Sequence, residues 1–282
     1  MSTATRTARP VRPRQKWWVT LLQVGLFVLF VVALSGLVPN WSRLVEAPAT
    51  AWRYFQLMVG GVLQNPFVDP VSGQWTEALT QMVVALAMAW IGTLIAAIIS
   101  LPLAFIAAFN LAPRPVVAVT RLFLDLMRAI PDVLFAIVIF MPLYGLGPVA
   151  GAFALGVGSI GSLGKLTSEV IEAMPSQTLE SVRATGARPL QVIRWGVLPQ
   201  VMPEIVAFWL YRFEINIRAG GILGAIGAGG IGALLLTLFQ DRDWDQIGIA
   251  LVVIIVITVI ADQISATVRH RLIAGSHAPK VA

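Results

Sequence analysis

An all-α protein that crosses a membrane several times is what this sequence predicts, and three observations carry that reading. Hydrophobic residues occupy 57% of the 282 positions and charged residues 12%. With a mean hydropathy of +0.82, that lies outside the range of ordinary water-soluble domains. The apolar residues fall in runs long enough to cross a hydrocarbon layer of roughly 30 Å. The 20 Lys and Arg residues gather in alternate breaks between those runs, as expected when basic loops stay on the cytoplasmic side.

The same composition excludes several classes of function. The chain has no cysteine, so disulfides, thiolate catalysis and cysteine metal sites are all absent. Its two histidines, His270 and His277, both lie near the end, which argues against a buried metal centre. No catalysis and no cofactor are expected in this chain. The net charge of +6 sits in short blocks beside apolar runs, so it reads as membrane topology and not as a nucleic-acid surface.

Taken in order, residues 1–16 form a basic tail, with Arg6, Arg9, Arg12, Arg14 and Lys16 and no acid. Trp17 and Trp18 mark an interface, and 17–38 is a first span. No small-x-small cleavage site closely follows it. Residues 39–77 set Arg43 and Arg53 against Glu46, Asp69 and Glu77, with turn signals at Asn65-Pro66, Asp69-Pro70 and Ser72-Gly73, and read as an extracytoplasmic connection. The part 41–58 is amphipathic enough to lie on the outer surface, or else is a solvated linker.

Residues 78–271 form the core. The run 80–109 predicts a tilted span kinked at Pro102, where the helix loses a hydrogen bond. Arg114, Arg121 and Arg128 place the next break inside. A third span climbs from Ala129 through Ile130-Pro131-Asp132 to Tyr144, and Gly145-Leu146-Gly147-Pro148 makes the outer turn. The return, 149–166, is rich in Gly, Ala and Ser, which predicts a place in the bundle interior or at a subunit contact. After the polar segment 169–203, residues 205–239 cross outward. Asp241, Arg242, Asp243 and Asp245 break the pattern, and 247–264 returns to Arg269 and Arg271, leaving 272–282 as a tail. This gives six spans with both ends inside. Of the 20 Lys and Arg, 15 then fall inside and three outside, with Arg212 and Arg218 within the fifth span.

Residues 180–203 are a polar and basic island between apolar runs. Ser176 is the expected helix N-cap, Glu180 lies near the positive helix start, Arg183 near its negative end, and Gly186 follows where a left-handed turn ends a helix. Pro189 suits the first turn of a second helix, with Leu190, Val192, Ile193 and Val197 on its apolar side, and Pro199 and Pro203 limit it. Two short helices at a tight turn form a rigid knob that another protein could grip, or a loop lying on the headgroups.

Two patterns resemble nucleotide sites and fail on context. Gly227-Ala228-Gly229-Gly230-Ile231-Gly232 satisfies G-x-G-x-x-G, yet it lies between a cytoplasmic loop and the last span, with no room for a crossover sheet. Gly227, Gly229, Gly230 and Gly232 fit a broken helix lining a cavity, a gate, or close packing. Gly158 to Lys165 approaches a P-loop, but Leu166 stands where the Mg²⁺-binding hydroxyl belongs. Glu214, Asn216 and Arg218 are polar groups inside the fifth span, and such groups need partners. Either Glu214 and Arg218, four apart on one face, pair with each other, or Arg218 with Asn216 offers donors to a passing oxyanion. Asp132 with Arg128, and Asp262, read as structural pairs or snorkelling groups.

Glu180-Ser181-Val182, three residues, Gly186, then Leu198-Pro199 resembles the EAA signature of ABC importer permeases. The family's small residues are replaced by Ser181 and Val182, and its aliphatic residue two before Leu198 is Gly196. The segments 196–201 and 211–218, with the glycine run 227–232, resemble the phosphonate permease branch of the methionine-transporter-like fold, and the likeness extends over roughly 74–271. The resemblance implies a six-span type I ABC importer permease in a bacterial inner membrane. It further implies a homodimer that docks an ABC ATPase dimer through 169–203, with ATP and Mg on that partner, and takes phosphonate from an extracytoplasmic binding protein. Phosphate, phosphite or another small anion is the alternative cargo. A secondary transporter would be expected to show inverted repeats and acidic coupling-ion sites at midplane, and a structural scaffold would not require Arg218 inside a span.

Overall fold

The computed structural model describes residues 17–37 and 41–277, so the basic tail 1–16 lies outside the described residues. Among the described residues all regular structure is helical. In chain order the helices are α1 (Trp17–Leu37), α2 (Trp41–Leu63), α3 (Val71–Ala107), α4 (Arg114–Ala129) and α5 (Asp132–Tyr144). They continue as α6 (Pro148–Ala173), α7 (Ser176–Ala184), α8 (Pro189–Ala228), α9 (Ile231–Asp241) and α10 (Trp244–His277).

Contacts divide the chain into two compact units, residues 1–55 and 56–282. In the first unit α1 is apolar on all sides and exposed along its length, the pattern of a helix solvated by lipid. The stretch 41–55 is helical, and Trp52 stacks on Phe55 at 5.5 Å.

In the second unit, length and apolar character carry α3, α6 and α10 across a membrane, as they do α1, and the bent pair α8 and α9 makes a fifth span. The remaining expected span is the short α5. Its length of about 20 Å, at 1.5 Å per residue, falls short of the hydrocarbon core. The amphipathic α4 precedes it across the extended Ile130-Pro131 step. Proline disfavours helical geometry in the residue before it, which is why the chain breaks there. Helix α3 runs through Pro102 without ending.

Helix α6 is the bundle centre, packing on α3, α4, α5 and α8. Its small residues let backbones meet: a Cβ on Gly156 would press on Ile95, one on Gly161 on the Leu124 carbonyl, and one on Gly164 on the Leu124 side chain. Gly158 and Gly161 of the P-loop-like stretch are therefore packing residues, and Lys165 pairs with Asp125 at 3.7 Å. One core of buried residues includes Ala85, Met88, Leu155, Ile217 and Ile247. A separate one, built from Ala104, Ala108, Ile171, Leu179, Val192, Val197, Val201 and Ile205, joins α7 and the start of α8 to the ends of α3 and α6. At the opposite ends of the spans, Gln246 donates to Glu77 at 3.1 Å and Gly248 abuts the Met58 carbonyl.

Candidate functional site

The loop 174–199 folds as two helices about a tight turn. Helix α7 ends at Arg183-Ala184, and Gly186 takes φ +77° with its N–H on the Arg183 carbonyl at 3.0 Å, a conformation that favours glycine because a Cβ is strained there. Pro189 opens α8, and the Gln191 side chain accepts the Arg188 N–H at 2.8 Å. Three expectations are corrected. Ser176 is the first helical residue and not the cap, because Pro175 occupies the boundary and supplies no side-chain acceptor. Leu190 is 79% exposed, as is Trp195 at 70%, whereas Val192 and Val197 are buried. Pro199 and Pro203 do not limit the helix. A π-helical turn, Val192–Val197, places the Leu198 N–H on the Ile193 carbonyl, and this wider turn takes up the carbonyl geometry that the Pro199 ring would otherwise obstruct.

Two of the departures from the EAA pattern, Val182 and Gly196, compensate each other. A Cβ on Gly196 would lie 3.2 Å from a Val182 methyl, so the missing side chain at Gly196 makes the space that Val182 fills. Glu180, Ser181, Gly186 and Pro199 are exposed, and Val182 and Leu198 half-buried, in a loop held down by its own apolar core.

Between residues 212 and 218, α8 carries three charged groups, and each is paired across helices. Arg212 donates from Nε to Ser159 Oγ at 2.7 Å and pairs with Asp132 at 3.2 Å. Asn216, fully buried, donates to Thr93 Oγ1 at 3.0 Å, and its carbonyl oxygen lies 3.3 Å from Ser159 Oγ. Asp132, Arg212, Ser159, Asn216 and Thr93 thus form one chain through α5, α8, α6 and α3. A Cβ on Gly158 would overlap the Asp132 carboxylate, so that glycine admits the acid.

The expected pairing of Glu214 with Arg218 is replaced. Glu214 pairs with Arg269 at 2.9 Å and Arg218 with Asp262 at 2.8 Å, both on α10. The higher residue on α8 meets the lower one on α10, the register of antiparallel neighbours. The reason is rotational: Glu214 is buried and Arg218 is 55% exposed along its side chain, so the two point to different surroundings. Nor does Asp132 pair with Arg128, which takes Asp125 at 3.2 Å. Arg212 and Ser159 were missed in the sequence as functional candidates. The only signal was that Arg212 lies in a span without an opposite charge in the next turn.

The glycine run breaks the fifth span. Gly227, Gly229 and Gly230 take φ +116°, +80° and +70°, and α9 departs at 60°. Gly229 and Gly230 have ψ near −164°, in a region essentially reserved for glycine. The turn 145–148 closes on the break: Leu146 lies against Gly227 and Pro148 against Gly229. Gly232 abuts the Gly221 carbonyl, so both a break and close packing are present. An apolar cavity of about 320 Å³ between α3 and α6, lined by Met88, Ile91, Pro148 and Phe153 among others, opens beside it.

Residues 100–273 match the family described as the binding-protein-dependent transport system inner membrane component. The chain belongs to that family. The permease is 34% identical over 258 residues to the phosphite transport system permease protein of Stutzerimonas stutzeri, covering 90% of each chain. It is 42% identical over 120 residues to a putative cryptic phosphonate transport system permease protein of Escherichia coli, covering 43% of this chain and 98% of that one. Its fold is that of the type I ABC importer permeases. A structure of the MetNI methionine ABC transporter in an inward-facing conformation superposes with TM-score 0.65 at 18% identity, over 73% of this chain and 99% of the other. The permease is a multi-pass membrane transport protein and not an enzyme.

Proposed function

We propose that this permease is the membrane subunit of an ABC importer for phosphorus oxyanions, with phosphonates as cargo. The carrying observation is the 34% identity to a phosphite permease across 90% of both chains, joined by the likeness to a phosphonate permease over 120 residues. The loop at Glu180, Ser181, Val182, Gly186, Leu198 and Pro199 docks an ATPase, which carries ATP, Mg and the hydrolysis. Exposed Trp195 and Leu190 supply the apolar and aromatic surface on which docking contacts concentrate. An extracytoplasmic binding protein delivers the anion, and both termini lie in the cytoplasm, as the basic residues direct.

Two copies form the pathway. Glu204, Tyr211, Arg218 and Ile222 are exposed along one face of α8. A cation on a lipid-facing surface of a span is disfavoured by about 2.5–3.5 kcal/mol at the membrane centre on insertion scales, so this face is covered by the second copy or lines the aqueous route. Arg218 offers its planar donors to the oxyanion there, while Asn216 and Glu214 hold α8 against its neighbours. The glycine break at 227–232 is the outer gate.

Phosphite is the second reading, favoured by the greater coverage of the phosphite relative. Competition decides between them. Uptake of labelled methylphosphonate into proteoliposomes with the ATPase and binding protein is expected to resist a tenfold excess of phosphite. Full displacement by phosphite at equal concentration would transfer the assignment to phosphite.

A further inference from the structure

The turn between α3 and α4 is tied to the loop end of α6 by polar contacts that none of these helices needs for its own formation. Glu172 lies in the last turns of α6, where a carboxylate meets the negative end of the helix dipole. Its compensation comes from other helices: Oε1 accepts the Phe109 backbone N–H at 2.5 Å and an Arg121 guanidinium N–H at 2.5 Å. Arg121 also donates from Nε to the Ala107 carbonyl at 3.0 Å and lies over the Phe109 ring at 4.0 Å.

Asn110 completes the connection. Its side-chain NH₂ donates to the Ile171 carbonyl at 2.8 Å, and its backbone carbonyl accepts from Arg183 of α7 at 3.1 Å. A path of directional contacts therefore leads from the docking helix α7 through Asn110 to α6, and through Glu172 and Arg121 to the ends of α3 and α4. The apolar core beneath joins the same pieces, but apolar contact is non-directional and permits sliding, whereas hydrogen bonds fix distance and angle.

We propose that Asn110 and Glu172 are positioning residues that transmit displacement of the docking loop to α3 and α4, so that hydrolysis on the ATPase and rearrangement of the spans occur together. This rests on the reading of the loop as the ATPase dock. Asn110 lies outside the segment 169–203, and Glu172, at its start and still within α6, is not among the docking residues between 180 and 199, so their removal separates transmission from docking.

The test is the number of ATP hydrolysed per methylphosphonate imported, measured in proteoliposomes with loaded binding protein, beside co-purification of the ATPase. Asn110→Ala and Glu172→Ala are expected to raise the ratio at least threefold while ATPase recovery stays within twofold of wild type. Glu172→Gln, which keeps an oxygen acceptor, is expected to recover part of the loss. A wild-type ratio in both alanine variants overturns the proposal, and so does loss of the bound ATPase in both, which would make the cluster a scaffold of the dock. The docking reading is tested separately. If Trp195→Ala and Gly186→Val both retain the ATPase at wild-type level, that reading fails whatever the ratio shows.

Discussion

Arg212 and Arg218 stand six residues apart on α8, and the structure predicts opposite consequences for removing them. Arg212 and its partner Asp132 have side chains 14% and 22% exposed, and Arg212 also holds Ser159. Arg212→Ala strands a largely buried carboxylate, and breaking one side of such a pair costs about 3–5 kcal/mol. At roughly 2–4 °C per kcal/mol for a chain of this size class, the melting temperature should fall by on the order of ten degrees. Replacing both partners, Asp132→Leu with Arg212→Leu, removes the stranded charge and should restore most of that loss. Arg218 and Asp262 are 55% and 34% exposed, a setting in which an ion pair contributes about 0–1 kcal/mol. Arg218→Ala should therefore leave the melting temperature within about 3 °C of wild type while abolishing uptake, and Arg218→Lys, which keeps charge but loses the planar fork, should transport poorly. Thermal unfolding of the purified protein in detergent, beside uptake in proteoliposomes, reads both quantities. Wild-type uptake in Arg218→Ala would refute the anion-contact role, and an unchanged melting temperature in Arg212→Ala would refute the structural role of the Asp132 pair.

Gly158→Ala should destabilise by a similar mechanism, because the added methyl displaces the Asp132 carboxylate, and the same substitution should cost less in an Asp132→Ala background than in the wild type in a thermal-unfolding comparison. Gly196→Leu should weaken ATP-dependent uptake by crowding Val182, and Val182→Ala should rescue it; failure of the rescue would separate the two positions. Gly230→Ala meets a φ of +70° and a ψ of −163°, available to L-residues only at a cost of order 1–3 kcal/mol, so uptake should fall even where the protein inserts normally. Gly186→Val should reduce substrate-stimulated ATP hydrolysis while membrane insertion, followed by immunoblot of the membrane fraction, is unchanged.

Much of this architecture was legible because it is local or one-dimensional. Runs of apolar residues gave α1, α3, α6 and α10; Gly186 and Pro189 gave the two helices of the loop; and the glycines at 227–232 gave the broken span. The partners of charges were not legible. Arg212 and Asp132 are 80 positions apart and Arg218 and Asp262 are 44 apart, so their meeting depends on how α5, α8 and α10 assemble. The four-residue spacing of Glu214 and Arg218 suggested a pair because helical neighbours share a face, but burial divides that face between interior and surface. Pro199 misled for a different reason: proline rules describe a regular α-helix, and the π turn before it relaxes the geometry on which they depend. The compensation between Val182 and Gly196 required knowing that the two short helices lie against each other.

The central claim is that this chain forms an ATP-driven route for a phosphorus oxyanion, and uptake measures it most directly. Proteoliposomes containing the permease and its ATPase, with methylphosphonate-loaded binding protein outside and ATP and Mg inside, are expected to accumulate label. Accumulation should cease without ATP and in the presence of Arg218→Ala. Accumulation that proceeds without the ATPase, driven by an ion gradient alone, or no accumulation of methylphosphonate or phosphite under any of these conditions, would contradict the account.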